Sequence, residues 1–109
     1  MLEPILGSAG SERVLIFLAV RNKGYAREIA RFFDTDLAPI QKQLEKLENG
    51  GVLVSQAVGR TRVFSFNPRY PMIDELRKLL EKTLTFYPDD IRVKLTMNRR
   101  RPRRRGKPL

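Results

Sequence analysis

Residues 25–66 read YAREIARFF, DTD, LAPIQKQLEKLENGG and VLVSQAVGRTRVFSF, and this stretch decides the fold. After Tyr25, which suits a brief extended contact, residues 26–33 put Ile29, Phe32 and Phe33 on one side. Arg27, Glu28 and Arg31 fall on the other, the spacing of a short amphipathic helix. Asp34-Thr35-Asp36 is a turn, and Asp36 is the predicted N-cap of a longer helix. Pro39 then falls at the third helical position, where its missing N–H would be unpaired in any case, so Asp36 must accept from Ala38. Leu37, Ile40, Leu44 and Leu47 form the buried stripe, and Asn49-Gly50-Gly51 ends the helix by glycine capping. Residues 52–57 and 62–66 are β-branched or aromatic segments separated by Val58-Gly59-Arg60-Thr61, a hairpin signal, with Phe64 and Phe66 alternating onto the core face. Two short helices, a tight turn and a hairpin in this order predict a winged helix-turn-helix.

Upstream, Ser11 suits the N-cap of a helix running to about residue 21. Residues 14–20 are apolar nearly all the way round. One face covers the core, and the other requires a second packing surface. Asn22-Lys23-Gly24 breaks this helix, with Gly24 suited to a left-handed residue. Downstream, residues 67–71 form an exit loop stiffened by two prolines. A helix over about 72–85 then lines up Met72, Leu76, Leu79, Leu80 and Leu84 until Pro88 stops it. Residues 89–97 leave room for one or two further turns, and the stretch from 99 lacks apolar residues until Leu109, so it is expected to be disordered unless bound. The expected architecture is mostly helical α+β: a winged helix-turn-helix over 1–86 with a two-to-three-stranded wing sheet and an added C-terminal helix. A short extension over 87–98 and a basic tail over 99–109 complete it.

The formal charge of +10 is unevenly placed. Residues 99–109 (RRRPRRRGKPL) hold seven of the 22 Lys and Arg and no acid, leaving 15 basic against 12 acidic residues in 1–98. An intensely basic tail on a mildly basic domain points to a polyanion, with nucleic acid ahead of an anionic membrane surface. With neither Cys nor His, disulfides, thiolate or imidazole metal sites and the usual nucleophile–base pairs are excluded. The longest apolar run, residues 14–20, is far short of a membrane span. No basic leader precedes it, so a cytoplasmic protein is expected.

A helix-turn-helix seats its second helix in the major groove. The side of residues 37–49 opposite the leucine stripe carries Ala38, Gln41, Lys42, Glu45 and Lys46. Gln41 suits the donor–acceptor edge of adenine, Lys42 can reach guanine or phosphate, and Ala38 permits close approach or contact with a thymine methyl. Glu45 reads as a spacer or a repulsive discriminator. Arg60, Thr61 and Arg62 at the hairpin tip can reach phosphates or a narrow minor groove, although alternation puts Arg62 on the side of Phe64, where its stem can pack on the core rim. In the tail, Arg105-Gly106-Lys107-Pro108 resembles an AT-hook, with Lys at its centre and Arg104 where proline is usual. The preferred reading of Arg103, Arg104, Arg105 and Lys107 is a polycation adding salt-sensitive affinity by counterion release. The catalytic search finds no converging acid, base or nucleophile: Asp34 and Asp36 read as turn and cap, and Asp89-Asp90 as a helix start. No enzyme is expected.

Over about residues 5–84 the chain resembles the ArsR-like winged-helix transcriptional regulators. The likeness is strongest at residues 25–30, 41–48, 50–54 and 59–64, the last reading GRTRVF. A related subgroup carries the same module, with an Asn-Pro-x-x-Pro exit like Asn67 to Pro71, ahead of a nucleotidyltransferase domain for which this chain has no room. The resemblance implies a homodimer pairing through its terminal helices, with Val14, Phe17, Leu18, Leu76, Leu79, Leu80 and Leu84 at the interface. The family's thiolate metal site has no counterpart here, and no metal or cofactor is expected; any effector is unknown. The expected function is that of a double-stranded-DNA-binding regulator, a repressor acting as a homodimer on a palindromic operator. The alternative is a non-catalytic winged-helix adaptor for a protein partner, such as a nucleotidyltransferase, or for RNA.

Overall fold

A computed structural model describes residues 1–97 of the chain. Six helices and three strands follow in the order α1 (Glu3–Leu6), α2 (Ala9–Arg21), β1 (Lys23–Gly24), α3 (Ala26–Phe32), α4 (Leu37–Asn49), β2 (Leu53–Val58), β3 (Thr61–Phe66), α5 (Ile73–Leu84) and α6 (Asp89–Thr96). The strands form one antiparallel sheet in the order β1-β3-β2. Leu53 pairs with Phe66 and Val58 with Thr61 across the hairpin, while Gly24 pairs with Phe64 at the other edge. Gly59 takes the first central position of the two-residue turn with φ +63, a conformation in which a Cβ is penalised.

The core is built around α2, which packs against α1, α3, α4, α5, α6 and the sheet. Neighbours on so many sides explain why residues 14–20 are apolar nearly all the way round. Val14, Leu15, Ile16, Phe17 and Leu18 are at most 1% exposed. Ile29, Ile40, Leu44, Leu53, Phe64, Phe66, Leu80 and Leu95 close over them from the other elements. The second surface demanded by α2 is therefore supplied by the same chain. This corrects the assignment of Val14, Phe17, Leu18 and Leu80 to a dimer interface, since all four are fully buried within the chain itself. Leu76 and Leu84 are half-buried and Leu79 is 37% exposed.

Local details also differ from expectation. Ser8, not Ser11, caps α2: its Oγ accepts from the Ser11 N–H at 3.1 Å, while the buried Ser11 hydroxyl donates to Gln43 Oε1 at 2.6 Å and ties α2 to α4. The left-handed residue after α2 is Asn22, with φ +71, not Gly24. Gly24 is needed for a different reason, because a Cβ there would lie 2.7 Å from Cε1 of the buried Phe17 ring. Asp36 caps α4 through its extended backbone alone; its side chain accepts no hydrogen bond, with Pro39 at the position whose N–H a cap would ordinarily take. Gly51, with φ +83, carries the chain out of α4 into β2.

Residues 89–96 form a two-turn helix held by Arg21. Its Nε and Nη2 donate to the carbonyls of Leu95 and Lys94 at 3.1 and 3.0 Å, capping the last turn of α6. The same guanidinium lies 4.9 Å from the centre of the Phe17 ring. Beneath α6, the buried Glu12 carboxylate accepts from the Leu2 N–H and from the Tyr87 hydroxyl, and the Met1 amino group lies 3.1 Å away. Among the described residues no helix is long and apolar enough to cross a membrane.

Candidate nucleic-acid interface

Burial of Ile40 and Leu44 orients α4, and the helical period then turns Ala38, Gln41, Lys42, Glu45 and Lys46 outward. All five are exposed. Ser11, bonded to Gln43, holds the helix in rotation from the α2 side. Arg60, Thr61 and Arg62, at the turn and the start of β3, are exposed as well.

Gln41, Arg60, Thr61 and Arg62 come together along an open groove of about 300 Å³ between α4 and the hairpin. Ala38, Lys42 and Lys46 lie outside that groove, on the open stripe of α4. Tyr25, Ala26 and Arg27 form the third wall, at the start of α3. Arg27 and Tyr25 were not expected in the site. In sequence Arg27 is one solvated cation of a helix face, and only the docking of α3 beside the hairpin brings it to Arg60 and Gln41. Arg103, Arg104, Arg105 and Lys107 lie outside the described residues.

The electrostatics of this surface are simple. Among the described residues the salt bridges are Met1–Glu12, Arg21–Glu28 and Arg92–Asp89, so Arg27, Lys42, Lys46 and Arg60 carry charge with no carboxylate within 4.0 Å. Arg62 donates from Nη1 to Ser55 Oγ at 2.8 Å, and it lines a neighbouring groove with Leu44, Glu45, Glu48 and Phe64. Unpaired cations spread over a helix face and an adjacent hairpin suit a partner with regularly spaced negative charges. No group of three or more Asp or Glu able to hold a metal ion occurs among the described residues.

No family model matches the chain, and no curated protein does. The structure is similar to that of a double mutant of Lactococcus lactis ZitR in its apo form, with a TM-score of 0.54 and 19% sequence identity. The similarity covers 75% of this chain and 70% of that one. At that identity the likeness concerns the fold, and it agrees with the order of elements and the β1-β3-β2 sheet. The chain has a mostly helical α+β fold of the winged helix-turn-helix type.

Proposed function

We propose that the protein is a double-stranded-DNA-binding transcriptional regulator of the ArsR-like kind, with α4 as recognition helix and the β2–β3 hairpin as wing. The observation that carries this reading is the open outer stripe of α4, with Lys42 and Lys46 exposed and Gln41 lining one groove with Arg60 and Arg62. An α-helix fits the major groove of B-DNA, and the hairpin then lies over the flanking backbone. Gln41 and Ala38 are the base-edge candidates, Lys42 a base or phosphate contact, and Lys46, Arg60, Thr61, Arg62 and Arg27 the phosphate contacts. The tail over 99–109 adds affinity without selecting sequence.

The protein acts as a homodimer on a palindromic operator, as a repressor that blocks promoter access. Support for self-association comes from an apolar groove of about 300 Å³ lined by Leu6, Leu47, Val52, Met72, Leu76 and Leu79, of which Met72 and Leu79 are exposed. Selection of bound duplexes from a random DNA pool tests the whole reading, since one result reports specificity, symmetry and half-site spacing. Enrichment of a two-fold-symmetric site with half-sites about 34–36 Å apart is expected. A pool that stays random sinks sequence-specific recognition, and enrichment of an unpaired half-site sinks the dimer.

A further inference from the structure

Arg62 differs from the other cations of this surface in being held. Its Nη1 donates to Ser55 Oγ at 2.8 Å, and Ser55 Oγ donates in turn to Glu48 Oε2 at 2.5 Å. The relay has one direction: a guanidinium cannot accept and a carboxylate cannot donate, so the hydroxyl proton points to Glu48 and an oxygen lone pair to Arg62. Three elements are joined in this way, since Glu48 lies in the last turn of α4, Ser55 on β2 and Arg62 on β3. The strand register makes the geometry natural. Arg62 is paired with Ala57, and Ser55 is two residues along the same face of β2, within diagonal reach of a long side chain.

The consequence lies in what the relay prevents. Glu48 and Arg62 line one groove, yet no nitrogen–oxygen pair between them is within ion-pair distance. Without an intervening hydroxyl, the nearest rest position of the guanidinium would be on the Glu48 or Glu45 carboxylate, both of which line that groove. A directly paired arginine is a poor phosphate ligand, because its charge is neutralised and its planar donor fork is occupied.

We propose that Ser55 is a positioning residue which, anchored by Glu48, holds Arg62 one hydroxyl away from an internal ion pair, leaving its remaining N–H donors open to a backbone phosphate of the bound duplex. Arg62 is thereby distinguished from Arg60 at the hairpin turn: both line the groove with Gln41, but Arg62 alone of the two is tethered, through Ser55. This rests on the DNA-binding reading above, and the experiment separates the two.

The test is a double-mutant cycle between Ser55→Ala and Arg62→Ala in the full chain, titrated against a duplex that the wild-type protein selects from a random pool, over a series of salt concentrations. Ser55→Ala is expected to weaken binding about tenfold, the scale of one charge-assisted contact, and to make the log–log salt dependence shallower by about 0.9, one phosphate fewer. In the Arg62→Ala background the same substitution should cost less than about twofold. Ser55→Thr, which keeps the hydroxyl, should restore both affinity and slope, a rescue that a purely structural role for the side chain's polarity at the wing would not couple to Arg62. An equal loss in both backgrounds, an unchanged slope, or wild-type affinity in Ser55→Ala overturns the positioning role while leaving DNA binding standing. Selection of no duplex by the wild-type protein overturns both.

Discussion

Gly24 shows how a single residue can be required for a reason that its neighbours in sequence do not disclose. It is a strand residue paired with Phe64, and its missing Cβ makes room for the Phe17 ring. The ring cannot retreat, because it is fully buried and packed edge-on against Phe32 at 5.7 Å. Gly24→Ala should therefore destabilise the protein by about 1–3 kcal/mol, the usual cost of overpacking, seen as a lower denaturant midpoint with an unchanged slope. Glu12 makes a second residue-scale prediction. Burial by itself raises its carboxyl pKa, but the hydrogen bonds from Tyr87, the Leu2 N–H and the Met1 amino group outweigh that and hold it below the ordinary value of 4.5. A carboxyl depressed on folding lends stability that is complete above its unfolded pKa and is lost as pH falls through the folded one. For Tyr87, burial first and then the Glu12 carboxylate raise the phenol above its ordinary 10.0, so its contribution is lost only as pH rises beyond that. Stability measured by denaturant titration should thus fall on acidification below about pH 4.5, and Glu12→Gln should flatten that acid limb while lowering the neutral plateau. An acid limb of unchanged steepness in the variant would assign the loss to other carboxylates.

At the scale of elements, α4 and the hairpin present the proposed contact surface in different ways. The helix is rigidly seated by Ile40 and Leu44 and by the bond between Ser11 and Gln43, so its outer stripe is presented in a fixed orientation. The hairpin extends its tip into solvent, with Gly59, Arg60 and Thr61 all exposed. Lys42→Ala combined with Arg60→Ala removes one charge from each element without touching the core. Operator affinity should drop about tenfold or more while the thermal unfolding midpoint stays in place. Full retention of affinity in a gel-shift titration would exclude α4 and the wing as the contact surface. The role of α6 is different: Arg21 caps its last turn and Leu95 fills the core, so a segment remote in sequence completes the shell around α2.

For the whole molecule, the distribution of apolar surface argues for self-association. The fold buries Val14 to Leu18 of α2 yet leaves Met72 and Leu79 exposed along one apolar groove. Leu79→Glu should convert a dimer into a folded monomer in analytical ultracentrifugation, because an unpaired charge in an apolar interface costs several kcal/mol. A monomeric wild-type protein, or a dimer indifferent to this change, would move the interface elsewhere. The charge asymmetry carries the remaining prediction. Deleting residues 99–109 removes seven of the chain's 22 basic side chains, and the salt dependence of DNA binding should become markedly shallower with the selected sequence unchanged. A shift in sequence preference would instead assign groove reading to the tail.

Much of this architecture is written locally. The periodicity of residues 26–33 and 37–49, the turn at Asp34, the glycines at 50, 51 and 59 and the alternation of Phe64 and Phe66 specify helix, turn, helix and hairpin through contacts only a few residues apart. The exposed stripe of α4 follows from the same spacing. Caps shift by a turn when a hydroxyl finds a better partner, as Ser11 does in Gln43 and Ser8 in the Ser11 N–H. What covers an all-round apolar helix is a long-range matter, since the sequence of α2 is equally satisfied by a second copy or by its own α5 and α6. Tertiary packing chose the latter, and with it the burial of Val14, Phe17, Leu18 and Leu80. The meeting of Arg27 with the wing and of Arg62 with Ser55 and Glu48 was likewise decided only in three dimensions, because periodicity reports which way a side chain points but not which distant side chain it meets.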